Sequence, residues 1–318
     1  MKRTSDEKDI VTFFISKLCS DSSEERKAAL NAIQNLIGDE STKISKIESL
    51  SKLPAFDVYK EYICRELSYA ITIESDMERI LNLIGFIMKH GSKEGDIIHV
   101  VAMRLTMIIE RVGSGDTVAH RNVQNLLLEF FVNYLTKASE GEKPPFGSSD
   151  FDYGEPLKVK IPKFSKEFVI SSKVLTGMMT LLCEGSDEGT KNKNREFLLN
   201  ALFGDEKQKL KVVRVSDGSK IDVLPEELRK RMLTSADERI VKAALDGMNV
   251  ERALQFLQSF AITAIAYSKL LDLVNSSKPP IEEAKKAAIF VRAYKLKGAK
   301  GADEFLNYVE QESITDEK

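Results

Sequence analysis

Cysteine is scarce. Cys19, Cys64 and Cys183 are the three in 318 residues, each in apolar helical surroundings, and none belongs to a Cys-x-x-Cys pair. That excludes a disulfide framework and the usual zinc spacings, and predicts buried thiols in a reducing compartment. Histidine is equally rare. His90 and His120 fall at expected helix ends, and neither they nor His99 has a further metal-binding residue at ligand spacing. No apolar run approaches the ~20 residues that span a bilayer, and no signal-peptide pattern opens the chain. A soluble, intracellular protein is therefore expected, without membrane association. An excess of one charge is missing too. Charged residues make up 30% of the chain, yet the formal net charge is −2, which fits neither a polyanion-coating protein nor an acidic chaperone.

Catalytic signatures are absent as well. The stretch from Gly185 to Lys191 has the wrong Gly-Thr-Lys order for a phosphate loop and is one residue short. Gly113-Ser114-Gly115 lacks the third glycine of a dinucleotide fingerprint. There is no nucleophile elbow and no carboxylate pair beside a histidine. A non-catalytic helical interaction module is expected, with no cofactor and no metal.

What the chain does contain is helix. Apolar residues recur at three-and-four spacing in successive segments. These are Asp6 to Leu18; a helix opened by Ser22/Ser23 and closed by Gly38; a short one around Ile44, Ile47 and Leu50; and a long one from Pro54. Further helices start at Ser75 and at Gly95-Asp96, the latter running through Met107 and Ile108, and a last one covers about Asp116 to Lys137. Many helices of this length joined by short breaks predict an all-α fold, a HEAT- or armadillo-like α-solenoid of antiparallel pairs, although no fixed-period repeat is present. Prolines and glycines then crowd residues 138–164, around an acidic-aromatic tip at Phe151 and Tyr153. This predicts a linker or ordered loop between an N-terminal helical half (1–137) and a C-terminal one (165–318). In the second half, helices are expected over Ser165 to Leu182 and Asn194 to Phe203. One small β-hairpin is expected near 209–223, where Val213, Val215, Ile221 and Val223 alternate around Asp217-Gly218.

Residues 223–275 carry the densest apolar patterning. Pro225 with Glu226 and Glu227 opens one helix, Ser235 before Asp237 and Glu238 a second, and Gly247 closes that one. From Val250 to Leu273 the apolar residues are too many for one stripe, so that helix is buried or covered by a partner. Farther on, Ile281 to Lys297 is basic. Its Lys285, Lys286, Arg292, Lys295 and Lys297 face only Glu282 and Glu283, with Phe290 and Tyr294 among them. The rings are expected in the core with Ala287, Ala288 and Val291, leaving the lysines solvated; RNA binding by this helix is the alternative.

The sequence LPEELRKRML, followed by ALQFLQSFAITAIAYSKLLDLV, resembles an internal segment of the Integrator complex subunit 1 family. The resemblance rests on Leu224, Pro225, Arg229, Arg231 and Met232, then Phe256, Gln258, Ser259 and Phe260, then Ser268, Lys269, Leu270 and Leu271. Upstream, Leu53-Pro54, Phe56-Asp57, Ala70-Ile71 and Glu74 fall in the same order. Ala261 and Thr263 stand where the family carries glycine and proline, which argues against a sharp bend there. The resemblance spans most of the chain but only part of a very large subunit, so a fragment of a divergent metazoan homologue is expected. It implies a nuclear, all-helical scaffold in a complex that acts with RNA polymerase II in small nuclear RNA 3′-end processing and transcription attenuation. Catalysis would lie in other subunits. The implied partners are other Integrator subunits, among them the PHD-finger subunit 12. On this reading Leu224, Leu228, Arg229, Arg231, Met232, Phe256, Phe260, Ser268 and Lys269 form the partner-binding surface. At least two of Phe256, Phe260 and Leu270 are expected in the core, and Arg229 and Arg231 are the expected exposed contacts.

Overall fold

The computed structural model describes residues 17, 20, 22–38, 64–65, 67–90, 97–113, 115–141, 154–184, 192–204, 210–220, 224–259 and 261–316. The helices expected at 6–18 (save Lys17) and 44–50, the first part of the helix from Pro54, and the aromatic tip at 151–153 lie outside the described residues. Two compact units divide the chain, residues 1–202 with 206–223, and residues 203–205 with 224–318.

In the first unit the start signals act where the sequence places them, with small shifts. α1 (Ser23–Gly38) opens with the Ser22 hydroxyl accepting the Glu25 N–H at 3.4 Å. α2 (Met77–His90) is capped by Asp76, whose Oδ1 accepts from the N–H groups of Glu78 and Arg79, rather than by Ser75. The helix expected through Met107 and Ile108 breaks there into α3 (Ile97–Thr106) and α4 (Ile109–Gly113). At the break the N–H groups of Met107 and Ile108 bond three residues back, and the Met107 side chain is exposed. α5 (Val118–Ser139) starts at Thr117, whose hydroxyl accepts the His120 N–H. Phe130, Phe131, Tyr134 and Leu135 on α5 are fully buried, and α2, α3, α4 and the sheet pack onto this helix.

An all-α fold is not what forms. The fold is mostly helical with a small three-stranded antiparallel sheet, β1 (Pro156–Lys160), β2 (Phe168–Ser171) and β3 (Lys211–Arg214), in the order β2-β1-β3. Leu157 lies opposite Ile170 on one side and Arg214 on the other. The expected hairpin is thus only half of the story. Its turn is present, with Gly218 at φ +70°. Among the described residues its return side contributes one bridge, Val213 to Lys220, while β3 forms its ladder with β1. Residues 156–160 had been assigned to the linker, yet Leu157, Val159 and Ile161 alternate with Lys158 and Lys160 and are buried, which is strand patterning. Likewise Phe168-Val169-Ile170 forms a strand rather than the first turn of a helix. α6 (Ser172–Glu184) begins only after it, and α7 (Lys193–Phe203) follows.

Among its described residues the second unit forms six short helices. They are α8 (Glu226–Leu233), α9 (Glu238–Leu245), α10 (Val250–Leu257), α11 (Ala264–Asn275), α12 (Ile281–Lys295) and α13 (Ala302–Asp316). Successive helices pack as the pairs α8/α9, α10/α11 and α12/α13. Across pairs, α9 touches α11, α11 touches α13 and α10 touches α12, while an Arg252–Glu226 ion pair ties α10 to α8. Met232, Leu233, Ile240, Leu257, Tyr267, Leu270, Tyr294 and Phe305 make the core between these layers.

Candidate interaction surface

Pro225 occupies the cap position of α8 at φ −55°, and Glu226 and Glu227 follow in its first turn. Leu228 and Met232 then face inward, and so does Arg229, only 2% exposed. Its guanidinium donates to the carbonyl oxygens of Ala244 and Asp246, satisfying acceptors that the end of α9 leaves open. Asp237 caps α9 by accepting from the Arg239 N–H, and Ser235 accepts the Asp237 N–H. Gly247, at φ +68°, completes the exit from α9, as its position after the last apolar residue predicts.

The apolar run from Val250 to Leu273 is two helices, not one. α10 ends at Leu257, and Thr263 restarts the chain by accepting the Ala266 N–H on its hydroxyl. A bend therefore forms without the family's glycine and proline. Polar anchors hold it. The Thr263 N–H donates to Leu233 O at 3.1 Å, Tyr267 Oη donates to Leu257 O at 2.7 Å, and Tyr294 Oη donates to Ile262 O at 2.9 Å. The two tyrosine rings stack at 3.7 Å, nearly parallel. Burial pushes both phenols up, and the charge that ionised Tyr294 would carry adds to the effect on Tyr267.

Of the surface residues expected from the sequence, Leu228, Met232 and Phe256 are core. Arg229 is buried, so it is not the exposed contact the sequence predicts; its Nη1 donates to carbonyls at the end of α9. Leu224 and Arg231 are half-buried. Ser268 accepts the Lys300 N–H, and Lys269 pairs with Glu238 at 2.7 Å, holding that carboxyl below its usual range through a hydrogen bond. Phe260 lies outside the described residues.

The basic helix α12 buries Ala284, Ala287, Ala288, Val291 and Tyr294, as its patterning predicts. Tyr294 is therefore not available as a stacking ring for a base. Lys285 pairs with Glu282 at 2.9 Å, Lys286 with Glu283 at 2.7 Å, and Lys295 with Asp303. The Lys285 hydrogen bond lowers Glu282, and the Glu283 hydrogen bond raises Lys286. Lys297 lies 4.7 Å over the Tyr294 ring, and Arg292 is exposed. The sequence reading overlooked Ile289 and Leu296, 66% and 90% exposed on this helix. Their signal was an apolar pair seven residues apart, off the buried face.

Among the described residues no group of three or more His, Cys, Asp or Glu side chains is placed to hold a metal; Cys64 is buried and Cys183 half-buried. In the first unit a cleft of about 350 Å³ is lined by Ile161, Pro162, Lys163, Phe197, Asn200 and Ala201, with Lys163 Nζ 3.9 Å over the Phe197 ring. These residues offer no nucleophile with an adjacent base.

Fold and surface together define a class: among the described residues, a mostly helical protein with one small antiparallel sheet, in which Arg229, Lys269 and Lys295 bind neighbouring helices while Lys285 and Lys286 pair within their own. Comparison with known families narrows this to one. The family described as Integrator complex subunit 1, INTS2-binding domain, matches residues 9–294, and the chain belongs to it. Integrator complex subunit 1 of Homo sapiens is 24% identical over 243 residues, covering 73% of this chain and 11% of that protein; the Mus musculus relative gives the same figures. The Drosophila melanogaster relative is 22% identical over 307 residues, 90% of this chain and 14% of that protein. The chain thus spans well under a fifth of the length of these curated relatives.

Proposed function

We propose that this chain is a non-catalytic scaffold domain that binds an INTS2-type subunit within an Integrator complex. The observation that carries the reading is the match of the INTS2-binding domain family over residues 9–294. The complex would be nuclear and act with RNA polymerase II in small nuclear RNA 3′-end processing and transcription attenuation, with the PHD-finger subunit 12 as a further partner. The three stacked helix pairs of residues 224–318 support a helical-repeat, HEAT- or armadillo-like platform, since such layers leave long helix faces open to partners. Within the stretch first singled out, the half-buried Leu224 and Arg231 and the rim residues Ser268 and Lys269 are the members left for contact.

Co-expression of the 318-residue chain with the INTS2-type subunit of the same species, followed by size-exclusion chromatography, tests this. One co-eluting complex is expected. Separate elution at micromolar concentrations of both, with each protein folded, would remove the reading.

A further inference from the structure

α12 carries two patterns at once. One is the buried face already described. The other runs along its outer side as Glu282, Lys286, Ile289, Ala293 and Leu296, spaced four, three, four and three, the seam spacing of a helix that packs against another helix. Its second half is apolar, with Ile289 at 66% exposure, Leu296 at the C-cap at 90%, and the small, half-buried Ala293 between them. Scattered apolar residues on a surface need no explanation, but two of the most exposed in the chain share one stripe here.

The charge around the seam narrows what can cover it. Residues 278–300 hold seven cations and two carboxylates. Lys285, Lys286 and Lys295 already hold carboxylates. Arg292, beside Ile289, and Lys297, beside Leu296, have no carboxylate partner among the described residues. A nucleic acid would meet aliphatic side chains where it needs exposed rings, because Tyr294 is inside and Phe290 is half-buried. A membrane surface needs a broad apolar face rather than a stripe of three residues. An amphipathic helix with apolar residues at the same spacing and acidic residues at its margins satisfies both the apolar seam and the two cations, and Ala293 lets it approach closely.

We propose that the outer face of α12, centred on Ile289, Ala293 and Leu296 and bracketed by Arg292 and Lys297, docks an acidic amphipathic helix of the INTS2-type subunit. This rests on the subunit-binding reading above and names the surface.

Affinity of the full 318-residue chain for that subunit, measured by biolayer interferometry, decides the matter with two variants, I289E/L296E and R292E. All three side chains are exposed, so both variants should keep the wild-type melting temperature. The double variant should bind at least about tenfold more weakly. R292E should weaken binding several-fold and flatten its dependence on salt. Wild-type affinity in both variants overturns the seam while leaving subunit binding intact. A wild-type chain that does not bind the subunit overturns both readings. Two further results would also overturn the proposal: binding of labelled single-stranded RNA that R292E abolishes and I289E/L296E spares, or a chain dimer in light scattering that I289E/L296E dissociates.

Discussion

Three arginines serve this fold as clamps on carbonyl groups. Arg104 donates to Arg65 O and to the Ser68 hydroxyl, Arg111 to Ile71 O and Thr72 O, and Arg229 to Ala244 O and Asp246 O. In each case the guanidinium reaches carbonyls of another helical segment, a task that five donors in one plane suit. Removing such a group strands buried acceptors, so R229A should cost about 2–3 kcal/mol in urea unfolding, and R229E more. R231E, on a half-buried neighbour, should cost no more than about 1 kcal/mol. Equal effects from the two would mean that Arg229 does not hold α9. The stacked tyrosines give a second residue-scale expectation. Tyr267 and Tyr294 are harder to ionise in the folded protein than in the unfolded chain. Stability is therefore complete below about pH 10, the unfolded tyrosine value, and declines as the pH rises above it. The urea midpoint should fall between about pH 8 and pH 11. Y267F/Y294F should show a shallower fall, from an unfolding free energy already lowered by about 1 kcal/mol per lost hydrogen bond.

At the scale of elements, junctions decide more than helix interiors. Thr263 caps α11 through its hydroxyl, while its backbone N–H bond to Leu233 O survives in alanine, so T263A should cost about 1 kcal/mol, readable as a lower melting temperature, whereas T263S should restore most of it. Gly177 lies where α6 crosses α3. A Cβ there would come within 2.4 Å of Thr106 Cγ2 and 2.7 Å of Thr106 Cβ. G177A should therefore destabilise by about 1–3 kcal/mol, and adding T106S, which removes only the closer contact, should recover part of that. These junctions also mark how far the sequence could be read. Helix positions were legible because Ala284, Ala287, Ala288, Val291 and Tyr294 repeat with the helical period, and such residues are buried wherever they recur. Breaks inside apolar runs were not, because Leu257 and Ile262 look alike whether a helix continues between them or stops. The tyrosine hydroxyls that hold the break come from positions up to thirty-two residues away. β1 was legible in its alternation, but neighbouring prolines and glycines masked it, and the two strands that flank it in the sheet both come later in the sequence. The candidate surface was the least legible. Arg229 and Arg231 are chemically identical two positions apart, and only the packing of α9 against α8 places one inside and leaves the other half-exposed.

For the whole molecule, the balance of charge bears on what the protein can bind. Nearly a third of its residues are charged, yet the sum is −2, and the most basic segment neutralises much of itself. Affinity for nucleic acid comes from counterions released as cations meet phosphates, so a cation already holding a carboxylate contributes little. Of the five residues once considered for RNA, Lys285, Lys286 and Lys295 are engaged in that way. Arg292 and Lys297 are left. Two phosphate contacts on a single strand give a slope of log affinity against log salt of about −1.4, far shallower than a dedicated RNA-binding face with six or more contacts would show. Titration of a labelled single-stranded RNA by fluorescence anisotropy across about 50–200 mM salt should therefore yield weak binding with a shallow slope. A slope steeper than about −4 would mean that the lysines of α12 leave their carboxylates for phosphate, and would return RNA binding to this helix.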